Sequence, residues 1–212
     1  TGCNRLGAVQ RIGLDRRHAV TGHGQHFNAA FRGGLVRLSK TDASTGRVRA
    51  ALGKSRNAHL ATHGYFAPET VKNALDGKGR DRLGERKEPT GWHPLLLSGL
   101  AFAGANREPK PGEEDGILTA LEVSEMDLTR LELAVLSACE TGVGKVAGGE
   151  GVLGMQRAFQ AAGARAVVAS LWQVDDLATQ RLMSDFYAQA WDSRKPAGVA
   201  EALRRAQLAA LY

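Results

Sequence analysis

The stretch LAVLSACETGVGKVAGGEG, residues 133–151, runs from continuous apolar residues through a cysteine into glycine and charge. Three chemistries compete for it. As a phosphate loop aligned on Gly144 and Lys145 it would need Gly at position 139 and Ser or Thr at 146, but Cys139 and Val146 stand there. The first glycine and the magnesium-holding hydroxyl are therefore missing. As a dinucleotide fingerprint, Gly149, Gly151 and Gly154 have the spacing, and Asp175 lies where a ribose-binding acid would sit. That fingerprint should follow its strand at once, so that the pyrophosphate meets the helix N-terminus. Here the apolar run ends near Ala138, well before Gly149, and dinucleotide binding stays only as a minor alternative. The third reading is a cysteine presented at the end of a strand.

The surrounding pattern favours the third. LELAVLSA (131–138) and RAVVASLW (165–172) read as buried strands. GEGVLGMQRAFQAAG (149–163) reads as an amphipathic helix closed by Gly163, DDLATQRLMSDFYAQAW (175–191) as a helix with acids in its first turn, and the last helix opens near Pro196. Continuous apolar strands alternating with helices predict an α/β fold with a parallel sheet covered on both faces. Upstream, TGRVRAAL (45–52) is a short helix candidate, and AHLATHGYF (58–66) holds a strand core over 58–62 that meets His63-Gly64 and then loops. PLLLSGLAFAGAN (94–106) holds a strand, and Thr119 with Glu122 three residues on has the capping-box spacing.

Composition sets the outer limits. Of 212 residues, 43% are hydrophobic and 24% charged, enough for one domain with a sizeable core. No apolar run reaches the roughly 18 residues that span a bilayer, so no membrane partner is expected. The start, TGCNRLGAVQ, lacks an apolar signal region, and Cys3 and Cys139 are the only cysteines, so the expected setting is a reducing cytoplasm. The net charge of +6 resides wholly in residues 1–41, which carry seven Lys/Arg and one acid, while the remainder is balanced. These residues are Gly-rich, contain His18, His23 and His26 without a fixed ligand spacing, and read as a basic leader outside the domain. Nucleic acid is not expected as a partner apart from what this leader could attract.

A cysteine nucleophile needs a base. In open parallel sheets, ligands bind beyond the carboxyl ends of the strands. Cys139 and His63 both stand at such ends, each followed by a glycine-containing turn. A cysteine with a distant upstream histidine is the order of caspase-type peptidases.

The segments HLATHGYF, SGLAFAGAN, EDGILTALEVSEMDL, LAVLSACETGVG, GEGVLGMQRAFQAAGARAVVASLWQVDD and ALRRAQLAAL together strongly resemble the CHAT domain. This is a caspase-like (peptidase clan CD) domain of bacteria, often found downstream of tetratricopeptide repeats. The resemblance covers about residues 43–212. It implies a three-layer α/β/α sandwich with a mainly parallel central sheet, here incomplete at both ends, with a leader over 1–41 and a domain fragment over 42–212. It implies a cysteine endopeptidase in which His63 and Cys139 form the dyad and the backbone N–H groups of Gly64 and Cys139 hold the oxyanion. Trp172 and Asp175 become candidate pocket residues, an acid there suiting a basic substrate residue. The competing reading is that Asp175 and Asp176 cap the following helix. Implied partners are a protein or peptide substrate and a sensor region such as tetratricopeptide repeats. No cofactor or metal is implied. An inactive caspase-like scaffold or interaction module is the alternative of a different class.

Overall fold

A computed structural model describes residues 11–15, 35–66, 92–140, 150–170, 176–192 and 195–211. In chain order these form β1 (Arg11–Asp15), β2 (Leu35–Ser39), α1 (Thr45–Leu52), β3 (Asn57–Phe66), β4 (Ser98–Ala101) and β5 (Ile117–Thr119). There follow α2 (Ala120–Ser124), β6 (Leu133–Glu140), α3 (Glu150–Ala161), β7 (Val167–Ala169), α4 (Asp176–Ala190) and α5 (Val199–Ala209). All seven strands belong to one sheet.

β3 organises the sheet. Along one edge it pairs in parallel with β6 over Asn57–Gly64, and β6 pairs in parallel with β7. This is the βαβ arrangement expected of buried apolar strands joined by helices. The other edge of β3 is divided. Asn57–Ala61 pairs antiparallel with β1, and His63–Phe66 pairs antiparallel with β4. β1 continues to β2 and β4 to β5. The result is a parallel centre carrying two antiparallel arms that separate at Thr62.

The two faces of the sheet are covered by different helices. Ala58 and Leu60 of β3, and Ala134 and Leu136 of β6, pack with Val48 and Leu52 of α1, Val123 of α2 and Phe159 of α3. The alternate residues Leu133 and Val135 pack with Met183, Phe186 and Tyr187 of α4 and with Ala202 and Ala206 of α5. This two-residue alternation, with apolar side chains on both faces, is what a sheet between two helical layers requires. Fully burying a side chain such as Leu52, Leu60 or Phe159 is worth about 1.5–3 kcal/mol each. These residues are at or near zero exposure, so the sandwich holds through this double core.

Local signals explain the boundaries. Ser44 caps α1 through Arg47 N, and Thr119 and Glu122 form the capping box of α2 with both reciprocal bonds. Gly163 follows α3 at φ +106°, where a side chain would meet Thr129 at about 3 Å. Only glycine allows the turn out of α3 to lie so close to the turn before β6.

Two features differ from the sequence reading. The border drawn after residue 41 falls inside the sheet, because β1 and β2 come from the stretch set apart as a leader and β1 lies directly on β3. Their signal was weak in sequence: each is five residues long, and their partners are non-local. Second, β3 and β6 extend to Phe66 and Glu140, beyond the ends expected near Thr62 and Ala138. Pairing of β3 with both β4 and β6 keeps the chain extended through His63 and Gly64.

Candidate active site

In the parallel ladder of β3 and β6, His63 is the register partner of Cys139. Two residues that are distant in sequence therefore face one another across neighbouring strands, about 4.8 Å apart in backbone spacing. They stand within the last residues of their strands rather than just past them. On its opposite edge His63 is also the first residue to pair with β4, opposite Ala101, after β1 has ended at Ala61. Thr62 Oγ1 donates to Ala101 O at this fork.

The His63 ring is half-buried, and among the described residues its Nε2 is buried with no hydrogen-bond partner. Leaving a buried polar nitrogen unpaired costs about 1–3 kcal/mol. Such an exception calls for an explanation, and a role in chemistry is one. Gly64 lies in the ladders to both β4 and β6 and is not without a partner. Beyond it, the Tyr65 ring lies over Gly99 of β4, and its hydroxyl reaches Leu96 O at 3.4 Å. A Cβ at Gly99 would come within 2.4 Å of that ring, so the wall next to His63 depends on this glycine.

A buried polar chain lies beneath the two positions, and the sequence reading missed it. His59 of β3 is 3% exposed. One ring nitrogen, Nε2, is 3.1 Å from Ser137 Oγ of β6, and the other, Nδ1, is 2.9 Å from the Tyr187 hydroxyl of α4. Burial depresses the His59 pKa from 6.5 to about 4, because the charged ring would lose its hydration. Burial likewise pushes the Tyr187 phenol well above its ordinary value. Both are neutral near pH 7. The Tyr187 ring is stacked on Trp191 at 4.7 Å between centroids and tilted against Phe186 at 4.9 Å. The available sequence signal was a second histidine four residues before His63, and a serine two before Cys139, on strands already expected to be buried.

Trp172, Asp175 and the glycine-rich stretch 141–149, including Gly149, lie outside the described residues, as do Cys3, His18, His23 and His26. Gly154 is within α3, where a Cβ would stand 3.4 Å from Ser98 Oγ of β4, so it lets helix and sheet approach. β6 ends at Glu140 and α3 opens at Glu150, which keeps the glycine spacing away from the strand end that a dinucleotide would need. Among the described residues, no group of three or more His, Cys, Asp or Glu is arranged to hold a metal ion. A cavity of about 330 Å³ lined by Arg56, Thr129, Arg130, Glu132 and Arg165 opens at the opposite ends of the parallel strands, away from His63. No helix among the described residues is long and apolar enough to cross a membrane.

The family model of the CHAT domain matches residues 8–212. It thus takes in β1 and β2 as well as the segment over which the motifs were recognised. Tetratricopeptide repeat protein 28 of Homo sapiens is 29% identical over 169 residues, covering 78% of this chain. The chain spans only 7% of the length of that relative.

Proposed function

Since the chain belongs to the CHAT domain family, which is related to caspase-like cysteine peptidases, we propose that it acts as an endopeptidase through Cys139 and His63. The observation that carries this reading is the parallel register in which His63 stands opposite Cys139. The buried Nε2 of His63, without a hydrogen-bond partner among the described residues, supports it.

In the proposed reaction His63 takes the Cys139 proton, and the thiolate adds to a peptide carbonyl, forming a C–S bond and an oxyanion. The imidazolium then protonates the departing amine as the C–N bond breaks, leaving a thioester. Water, deprotonated by His63, attacks the thioester, releases a carboxylic acid and restores the thiol. Backbone N–H groups, those of Gly64 and Cys139 in this reading, would stabilise the oxyanion. Trp172 and Asp175 are the proposed pocket residues, with a basic side chain as the expected occupant. The substrate is a protein or peptide. The matched relative is named for tetratricopeptide repeats, which supports such a region as the regulatory partner.

A Cys3→Ser chain leaves Cys139 as the single thiol, and its alkylation by iodoacetamide across pH tests the dyad without knowledge of the substrate. The expected apparent pKa lies below the ordinary 8.5 or so, and His63→Ala raises it. Cleavage of a peptide library should fall by at least about a thousandfold in Cys139→Ala. A thiol that titrates near 8.5 and ignores His63→Ala would instead make the chain a non-catalytic interaction module.

A further inference from the structure

Among the described residues, the end of β6 is supported from one side. β7 pairs with β6 only at Ala134–Leu136. From Ser137 to Gly64's partner Glu140, the described ladder partner of β6 is β3 alone. Ser137 is thus the first residue beyond the described pairing with β7, and it stands two residues before Cys139. At that point its hydroxyl meets His59 Nε2 at 3.1 Å. The strand register pairs His59 with Val135 and Ser137 with Ala61, so this bond runs diagonally and ties β6 to β3. The second ring nitrogen bonds Tyr187 at 2.9 Å, and Tyr187 is held in α4 by Trp191 and Phe186.

The three groups are coupled. His59 is neutral because it is buried. A neutral imidazole donates at one nitrogen and accepts at the other. Each hydroxyl can donate or accept, so together they satisfy both ring nitrogens in either tautomer and hold the ring in one orientation; loss of either frees the ring to turn.

We infer that Ser137, His59 and Tyr187 are positioning residues for the dyad, fastening the Cys139-bearing end of β6 to the His63-bearing strand and to α4. The inference rests on the dyad reading above. Its consequence is geometric: an error of about 1 Å between reacting groups can cost roughly a hundredfold in rate.

The test uses the full chain with Cys3→Ser, iodoacetamide as the probe, and circular dichroism to show that each variant is folded. Ser137→Ala and Tyr187→Phe are expected to slow alkylation of Cys139 at pH 7 by about threefold or more and to move its apparent pKa towards that of His63→Ala. Ser137→Thr, which keeps a hydroxyl in a strand, is expected to restore the parent profile. Ser137 is only partly buried, so Ser137→Ala provides the answer should Tyr187→Phe fail to fold. If the folded variants superimpose on the parent while His63→Ala shifts the profile, the positioning role is overturned and the dyad stands. If His63→Ala shifts nothing, the dyad falls and the positioning role with it.

Discussion

His59 shows how one side chain can be both a stabilising and a titrating element. It is neutral in the fold down to a pH of about 4 but takes a proton in the unfolded chain at about 6.5. Between these values the unfolded state binds more protons, so stability is full above pH 6.5 and declines as pH falls towards 4. The group alone contributes a loss of about 3 kcal/mol across that window. Denaturant unfolding followed from pH 7 to 4 should show this decline, and His59→Gln should flatten it while lowering stability at pH 7. An equal slope in both chains would mean that His59 is not the group responsible. His63 lies on the same strand, but its Nε2 is left without a described partner. The sequence marked His63 because a glycine turn was expected after it. It could not separate the roles of the two histidines, since burial and hydrogen-bond partners come from β6 and α4.

Among the elements, the turn between α3 and β7 is tied to its neighbour by backbone hydrogen bonds. Leu128 N donates to Ala162 O at 2.8 Å, and Arg165 N donates to Leu131 O at 2.9 Å, binding this turn to the one that leads into β6. Gly163 stands between those bonds at φ +106° with Thr129 against it. Gly163→Ala should cost about 1–3 kcal/mol, from the left-handed backbone and the contact together, read as a lower thermal midpoint with unchanged helix content. A neutral result would place the turn elsewhere. The glycine was legible in sequence as a helix stop, and so was the capping box of α2, because caps and stops are local chemistry. β5 was not. Its three residues gain their extended form from β4 and from Phe102 N donating to Gly116 O at 2.6 Å, and these contacts leave no periodic trace.

At the scale of the whole molecule, β3 carries the parallel centre and both antiparallel arms. We propose that the domain begins with β1 rather than at residue 42. Removing residues 1–41 would strip the pairing from Asn57–Ala61 and expose a strand edge, which favours association between chains. The shortened chain should melt at a lower temperature and elute as larger species in size exclusion. A monomer as stable as the full chain would restore the border at 42. The sequence by itself determined the α/β class, the buried strands and most helices, the two candidate residues and the family, because apolar periodicity, caps and motifs are written in neighbouring residues. Only the tertiary structure decided that part of the basic leader supplies strands, that β3 is shared by two arms, that His63 and Cys139 are register partners, and that His59 joins Ser137 to Tyr187. Each of those depends on hydrogen bonds between segments far apart in the chain, whose register is set by packing on both faces of the sheet at once.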